Sequence, residues 1–129
     1  MKMNVKTLDK KSDSRGWLVE NESELIRDSM RHFLVSSSEP GVVRGQHYHK
    51  RKTEWFLVIE GKAKIYFKDI NSSEESSMEV NSDSPQIIEV LPNIAHSIEN
   101  IGKSKMILLG IVNEPLSKED PDTFSYKVI

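Results

Sequence analysis

Three histidines and one glutamate have the types and the spacing of a metal-binding site. His47 and His49 are separated by one residue in a stretch with strand character, so both side chains point to the same face. Glu54 follows after four residues that can turn the chain, and His96 lies much later in an alternating apolar pattern. Imidazole and carboxylate ligands together suit zinc, iron, manganese or nickel. The sequence has no cysteine, which excludes thiolate metal sites and cysteine nucleophiles and leaves these four residues as the ligand set.

Other residues are candidates for substrate binding or catalysis but belong to no cluster that the sequence reveals. The guanidinium of Arg44 can bind a phosphate or a carboxylate through two parallel hydrogen bonds, although an ordinary surface arginine fits the sequence equally well. Tyr66 and Tyr126 can donate or accept a proton in catalysis, but most tyrosines serve packing. We interpret His32 as a surface or core residue.

Short strands must position these residues. The β-branched and aromatic residues cluster in short runs bounded by Gly, Pro, Asn and Ser, which is typical of strands. The predicted strands span residues 31–36, 43–49, 54–59, 62–68, 86–91, 95–100, 105–113 and 123–129. One short helix is predicted over 23–28, and the polar segment 71–84 is predicted to be a hairpin loop. This pattern predicts an all-β sandwich or barrel and argues against alternating strands and helices.

A hairpin is predicted around Glu60 and Gly61, which form a two-residue turn signal between strands 54–59 and 62–68. In that pairing one face carries Glu54, Phe56, Val58, Ala63, Ile65 and Phe67, and the other begins with Trp55, Leu57 and Ile59. A carboxylate on an apolar face is costly unless it is paired or bound to a metal, which supports Glu54 as a ligand. The apolar residues of the second face predict contact with another sheet or with the second subunit of a homodimer.

Length and charge narrow the function further. The 129 residues fit one domain, so we expect a single domain over 1–129. The 18 basic and 20 acidic residues give a net charge of −2, which offers no electrostatic basis for binding nucleic acid or an anionic membrane. The sequence shows neither a secretory signal nor an apolar run long enough to span a bilayer, and we therefore expect a cytoplasmic protein.

The residues around the histidines resemble the conserved motifs of the cupin family. The first cupin motif is matched at every position by Gly41, His47, His49, Glu54 and Gly61, and the second is matched in part by Pro92, His96 and Asn100. This resemblance implies a small antiparallel β-barrel of the jelly-roll type with a metal ion in its interior.

A narrower resemblance covers most of the chain. Residues 13–20 resemble the opening motif of sugar-nucleotide cupins such as the dTDP-4-dehydrorhamnose 3,5-epimerases, and 44–49 resemble those enzymes and the 3,4-ketoisomerases. Residues 52–58, 96–102 and 113–124 are similar to the C-terminal cupin domain of the bifunctional UDP-sugar epimerase/reductase of bacterial capsule synthesis. The reductase domain of that enzyme is absent from this chain.

The resemblance implies an epimerase or ketoisomerase that acts on a nucleotide-activated 4-keto-6-deoxy sugar through an enolate, in polysaccharide sugar biosynthesis. It implies zinc as the metal and places Arg44 in the sugar-nucleotide pocket. If His47 and His49 bind the metal, the catalytic base stays open among a tyrosine such as Tyr66 or Tyr126, a lysine, Glu54 and bound water. If the site holds no metal, the resemblance to metal-free relatives makes His47 the expected catalytic base. Two alternatives also stay open: a metal-dependent dioxygenase, because two histidines and a glutamate form a facial triad, and a cupin that binds a sugar without catalysis.

Overall fold

Two five-stranded antiparallel sheets form most of the structure, a computed structural model that describes all 129 residues. The strands are β1 (Asn4–Thr7), β2 (Lys11–Asp13), β3 (Gly16–Leu18), β4 (His32–Ser38), β5 (Val43–Tyr48), β6 (Glu54–Glu60), β7 (Lys62–Asp69), β8 (Glu75–Asn81), β9 (Gln86–Val90), β10 (Ile94–Asn100), β11 (Met106–Val112) and β12 (Phe124–Ser125). The first sheet has the order β1-β9-β6-β11-β4, the second has the order β12-β5-β10-β7-β8, and β2 pairs with β3 in a separate hairpin. The helix α1 (Glu24–Ser29) has six residues, and no helix reaches the length and apolarity of a transmembrane segment.

The core lies between the two sheets. Each strand alternates inward apolar residues with outward residues, because successive side chains of a strand point to opposite faces. Phe56 and Val58 of the first sheet meet Ile65 and Phe67 of the second in one cluster of eleven buried residues. The double antiparallel sheet confirms the predicted all-β, jelly-roll-type architecture.

The short helix forms where the sequence predicts it. Ser23 precedes α1, and its side chain accepts a hydrogen bond from the Ile26 amide, which satisfies one of the free N–H groups of the first turn. The predicted strands around the four histidines and Glu54 also form, with ends shifted by one or two residues.

The predicted hairpin at Glu60 and Gly61 is wrong. β6 pairs with β9 and β11 in the first sheet, whereas β7 pairs with β8 and β10 in the second, so the chain changes sheets at this corner. Gly61 has φ +100, and an added Cβ would lie 3.1 Å from the Cα of Met106, which explains the glycine. The predicted inner face is nevertheless confirmed, because both strands present alternate residues to the same core.

The predicted loop 71–84 contains a strand. β8 pairs along its whole length with β7 as the edge strand of the second sheet. Its inward positions include Met78 and Val80, while serine and glutamate occupy most of the others. The prediction failed because the polar composition of this edge strand is similar to that of a loop. The alternation of inward and outward residues that is typical of a strand was nevertheless present in the sequence.

The predicted C-terminal strand 123–129 is reduced to β12, which pairs with β5. Beyond it the tail is fixed by Gln46, whose side chain accepts a hydrogen bond from the Val128 amide at 2.7 Å and donates one to the Ile129 carbonyl at 2.8 Å.

The outer face of the first sheet is partly covered by the chain itself. Trp55 is buried against Leu8 and Ile87, and Ile26 of α1 packs against the same cluster. An apolar cavity of about 380 Å³ remains between α1 and this sheet, and Leu57 contributes to its lining. The cavity lies on the opposite side of the sheet from Glu54, so it is separate from the site described next.

Candidate metal centre and active site

The four predicted metal ligands converge in the structure. His47 lies in β5, His49 follows it directly, Glu54 begins β6, and His96 lies in β10. β5 and β10 are paired so that His47 stands opposite His96, while Glu54 faces them from the other sheet. One donor atom from each residue lies within 4.8 Å of the donor atoms of the other three.

An irregularity in β5 brings the histidines to this position. The pairing of β5 with β10 shifts between His96 and Ser97, where two residues of β5 replace one. Gly45 and Gln46 both have positive φ, +91° and +55°, and Gly45 packs directly on the His96 carbonyl. This arrangement is a β-bulge, a device that bends a strand and re-aims the side chains that follow it.

Hydrogen bonds to the backbone orient two of the imidazoles. The Nδ1–H of His49 donates to the Asp122 carbonyl at 2.6 Å, and the Nδ1–H of His96 donates to the Ile94 carbonyl at 3.0 Å. Both Nε2 atoms therefore face the centre of the cluster. They lie 2.5 Å and 3.4 Å from Oε1 of Glu54.

The charges of the cluster are strongly coupled. The pKa of His47 is lowered to about 4, chiefly by burial, and the neighbouring His96 and His49 contribute in the same direction. Burial also opposes charge on His49, but the hydrogen bond and the charge of Glu54 outweigh it and raise the His49 pKa. Burial raises the pKa of Glu54, and its contacts with His49 and His96 outweigh this effect and hold that pKa far below its usual range.

The cluster fits a divalent cation. The Nε2 atom of His96 is buried without any hydrogen-bond partner, and a buried polar nitrogen in that state is costly unless another group binds it. His47 is neutral at pH 7 because of its low pKa, so its lone pair is available for a metal. Three imidazoles and one carboxylate are a ligand set for zinc, iron, manganese or nickel.

Arg44 lies on the inner face near the cluster. It pairs with Ile98 of β10, two residues beyond His96, and paired residues share a face. Its guanidinium donates to the Ser38 hydroxyl and to the Ser37 carbonyl, each at 2.7 Å, while the side chain stays exposed.

The two tyrosines are not brought to the cluster. Tyr66 alternates with buried core residues of β7, so it faces outward, where its hydroxyl donates to Glu99 at 3.0 Å. Tyr126 packs edge-on against the ring of Tyr48, with 6.1 Å between the ring centroids, and the Lys68 ammonium lies 5.9 Å from the centroid of the Tyr126 ring. Tyr48 itself points away from the histidines on either side of it.

Three residues near the site carried no signal in the sequence. His32 pairs with Val112, which pairs with Glu54, so His32 faces the interior in the same row as Glu54. Asp122 and Asn113 hold the loop between His49 and Glu54 from a distant part of the chain. Only long-range pairing reveals these positions.

Comparison with known proteins places the chain in a family. The polysaccharide biosynthesis C-terminal domain family matches residues 11–124, nearly the whole chain. The chain belongs to this family. The matched range contains all four residues of the cluster.

Similar proteins agree with this assignment. The chain is 37% identical over 117 residues to a UDP-2-acetamido-2,6-beta-L-arabino-hexul-4-ose reductase of Pseudomonas aeruginosa, covering 91% of this chain and 31% of that protein. The crystal structure of CapF, a capsular polysaccharide assembling protein of Staphylococcus aureus, superposes with a TM-score of 0.74 at 31% identity. That superposition covers 94% of this chain and 34% of CapF. The chain thus spans about a third of the length of these two proteins.

A more distant structure supports the fold. The dTDP-4-dehydrorhamnose 3,5-epimerase of Bacillus anthracis superposes with a TM-score of 0.79 at 19% identity, covering 94% of this chain and 76% of the epimerase. These comparisons confirm the resemblance to sugar-nucleotide cupins that the sequence motifs indicated.

Proposed function

We propose that the protein is an epimerase or ketoisomerase of a nucleotide-activated 4-keto-6-deoxy sugar, acting in polysaccharide biosynthesis. The observation that carries the proposal is the buried cluster of His47, His49, Glu54 and His96, in which the Nε2 of His96 has no hydrogen-bond partner. The family assignment and the sugar-nucleotide enzymes among the similar proteins support the substrate class.

The reaction begins with removal of a proton from the carbon beside the sugar ketone. A bound divalent cation, which we propose to be zinc held by the four clustered residues, would supply stabilisation for the negative charge that develops on the ketone oxygen. Return of the proton to the opposite face of the same carbon gives the epimer. The ketoisomer forms when the hydroxyl proton on the deprotonated carbon passes to the former ketone oxygen and the returning proton adds to the former ketone carbon, so that the carbonyl moves to the neighbouring carbon.

His32 is our candidate for the proton carrier. His47 has a pKa of about 4 and is a weak base, and its lone pair is committed if it binds a metal. Tyr66 is on the outer face, which argues against the tyrosine predicted from the sequence. His32 faces the interior in the row of Glu54, and its Nδ1–H can donate to the Glu114 carbonyl at 3.0 Å, which leaves Nε2 free.

Arg44 is our candidate for the diphosphate of the substrate. Ser37 and Ser38 hold its guanidinium in a fixed orientation, and the exposed side chain keeps further N–H donors available. Such an arginine can bind a phosphate with two parallel hydrogen bonds. Because the protein as a whole carries a net charge of −2, binding of a dianion has to depend on local cations of this kind.

Solvent exchange tests the proposal directly. In D2O, the protein with dTDP- or UDP-4-keto-6-deoxyhexose should place deuterium on the carbon beside the ketone, measured by NMR. We expect His32→Gln to lower the exchange rate about 10²–10⁴-fold, the usual contribution of a proton carrier. Tyr66→Phe is the matched control and should exchange like the wild type.

The same experiment separates the alternatives. A changed configuration identifies an epimerase, and a displaced carbonyl identifies a ketoisomerase. Binding of both nucleotide sugars without exchange would contradict the proposal and favour a non-catalytic sugar-binding protein. Oxygen consumption that requires Fe(II) would favour the dioxygenase, which the facial triad of His47, His49 and Glu54 would permit.

We further propose that the protein works as a homodimer in the cytoplasm, where the nucleotides that activate its substrates are made. The observation behind the dimer is an apolar strip on the outer face of the first sheet. Phe33 and Val35 of the edge strand β4 are 64% and 60% exposed, and they lie beside Ile111 and Leu109 of β11. A second copy would cover this strip through a two-fold interface.

A further inference from the structure

The loop between two of the clustered residues is built by a distant segment. Residues 50–53 join His49 to Glu54, and all four of their backbone N–H groups donate to side chains from residues 113–122. The amides of Lys50, Arg51 and Lys52 donate to the carboxylate of Asp122 at 3.0, 2.9 and 3.0 Å. The amide of Thr53 donates to the side-chain carbonyl of Asn113 at 2.9 Å.

Asp122 is unusually constrained for an aspartate near the end of a chain. Only 3% of its surface is exposed, and its φ of +49° lies in the left-handed region, which costs energy for a residue with a side chain. Burial raises the pKa of Asp122, but the three loop N–H groups outweigh it and lower that pKa, so the carboxylate is ionised. The structure thus keeps a buried charge and a strained backbone at this position.

The backbone of the same residue contacts the cluster. The Asp122 carbonyl accepts the Nδ1–H of His49 at 2.6 Å, so the tautomer and the ring orientation of His49 are set by this residue. The side chain of Asp122 therefore fixes the loop after His49, and its main chain fixes the His49 ring.

We propose that Asp122 is the positioning residue of the metal centre. It holds His49 and Glu54 in the arrangement that a cation requires, without being a ligand itself. Groups that orient a metal ligand through its second nitrogen commonly change metal affinity about 10–100-fold when they are removed. This inference rests on the proposed metal centre, and its test includes one measurement on the metal-free protein.

Asp122→Asn removes hydrogen bonds to the loop while it keeps nearly the same side-chain volume. The amide has nearly the shape of the carboxylate but only one acceptor oxygen, so at least one of the three loop N–H groups loses its partner. The Asp122 carbonyl is retained, yet its position relative to His49 is no longer held. Asp120→Asn is the matched control, because Asp120 is exposed and its carboxylate pairs with the side chain of Arg51 at 3.0 Å.

Zinc affinity is measured by competition with a chromophoric chelator. We expect Asp122→Asn to bind Zn²⁺ about 10–100-fold more weakly than the wild type, and Asp120→Asn to stay within about two-fold. A purely structural role would lower the melting temperature of the metal-free variant while its zinc affinity stayed at the wild-type value. That outcome would overturn the proposal.

NMR of the metal-free protein decides the inference independently of zinc. The His49 Nδ1–H, protected by its bond to Asp122, should give a slowly exchanging resonance in ¹⁵N-histidine-labelled wild type. We expect it to broaden or vanish in Asp122→Asn and to persist in Asp120→Asn. If the wild type bound no Zn²⁺, the proposed metal centre would be wrong. If the His49 resonance were unchanged in Asp122→Asn, the positioning role of Asp122 would be wrong, whether or not the protein binds zinc.

Discussion

At the residue scale, three of the four clustered side chains were predictable from local spacing, and His96 was predictable from the alternating apolar residues around it. His47, His49 and Glu54 lie within eight consecutive positions, so the period of a strand and one turn are enough to place them together. His32 and Asp122 were not predictable in the same way. His32 is placed by its pairing with Val112, and Asp122 by its hydrogen bond to His49. Each partner is more than 70 positions away, and nothing in the local pattern marks it.

The low pKa of His47 makes the stability of the metal-free protein depend on pH. The folded protein takes up the His47 proton only near pH 4, whereas the unfolded chain takes it up near 6.5. The contribution of His47 is therefore complete above pH 6.5 and is lost as the pH falls towards 4. We expect the melting temperature of the metal-free wild type to fall over this interval more than that of His47→Gln, measured by circular dichroism at pH 8 and pH 5.

For the wild type and for His47→Gln, the quantity to compare is the difference in melting temperature between pH 8 and pH 5, because the substitution also changes packing at both pH values. Equal differences for the wild type and the variant would show that His47 does not resist protonation in the folded state. An added excess of Zn²⁺ should steepen the fall of the wild type more than that of the variant, because the metal requires the neutral imidazole of His47 and the variant keeps only three of the four proposed ligands.

At the element scale, the sequence predicted which face each strand buries better than which strand it pairs with. The alternation in β6 and β7 specifies an inner face for both strands, and this holds whether they form a hairpin or meet across the core. The choice depends on Gly61, where β11 crosses the corner too closely for a side chain. The sequence likewise did not predict β8, because its serines and glutamates are typical of a loop. This edge strand pairs only with β7.

The bulge in β5 is the element that aims the histidines, and Gly45 is required for it. Alanine at this position would take a positive φ and place its Cβ 2.8 Å from the His96 carbonyl, so the strands must separate. We expect Gly45→Ala to lower the free energy of unfolding by about 1–3 kcal/mol, measured by urea denaturation. Gly102→Ala, where the nearest atom is 3.4 Å away and φ is not positive, should cost much less. Equal losses in both variants would contradict a specific requirement at Gly45.

At the scale of the whole molecule, the two faces of the first sheet have different roles. The inner face carries Glu54 of the cluster and His32, while the outer face carries two cross-strand rows of apolar residues. One row joins Phe33, Ile111 and Trp55, and the other joins Val35, Leu109 and Leu57. The N-terminal segment covers the Trp55 end of these rows and leaves the β4 end open.

This asymmetry predicts a dimer that a single charge can dissociate. Edge strands with exposed apolar side chains commonly pair with another chain, and a two-fold axis at β4 would bury Phe33 and Val35 of both copies at once.

Light scattering at micromolar concentration should give twice the mass of the 14.8 kDa chain for the wild type, and the mass of one chain for Phe33→Glu. Leu116→Glu controls for added charge, because Leu116 is 73% exposed outside the strip. A monomeric wild type, or a Phe33→Glu variant that keeps the doubled mass, would show that β4 is not the interface. Since the Phe33 side chain points away from the site, we expect the dissociated variant to retain zinc affinity, which separates assembly from metal binding.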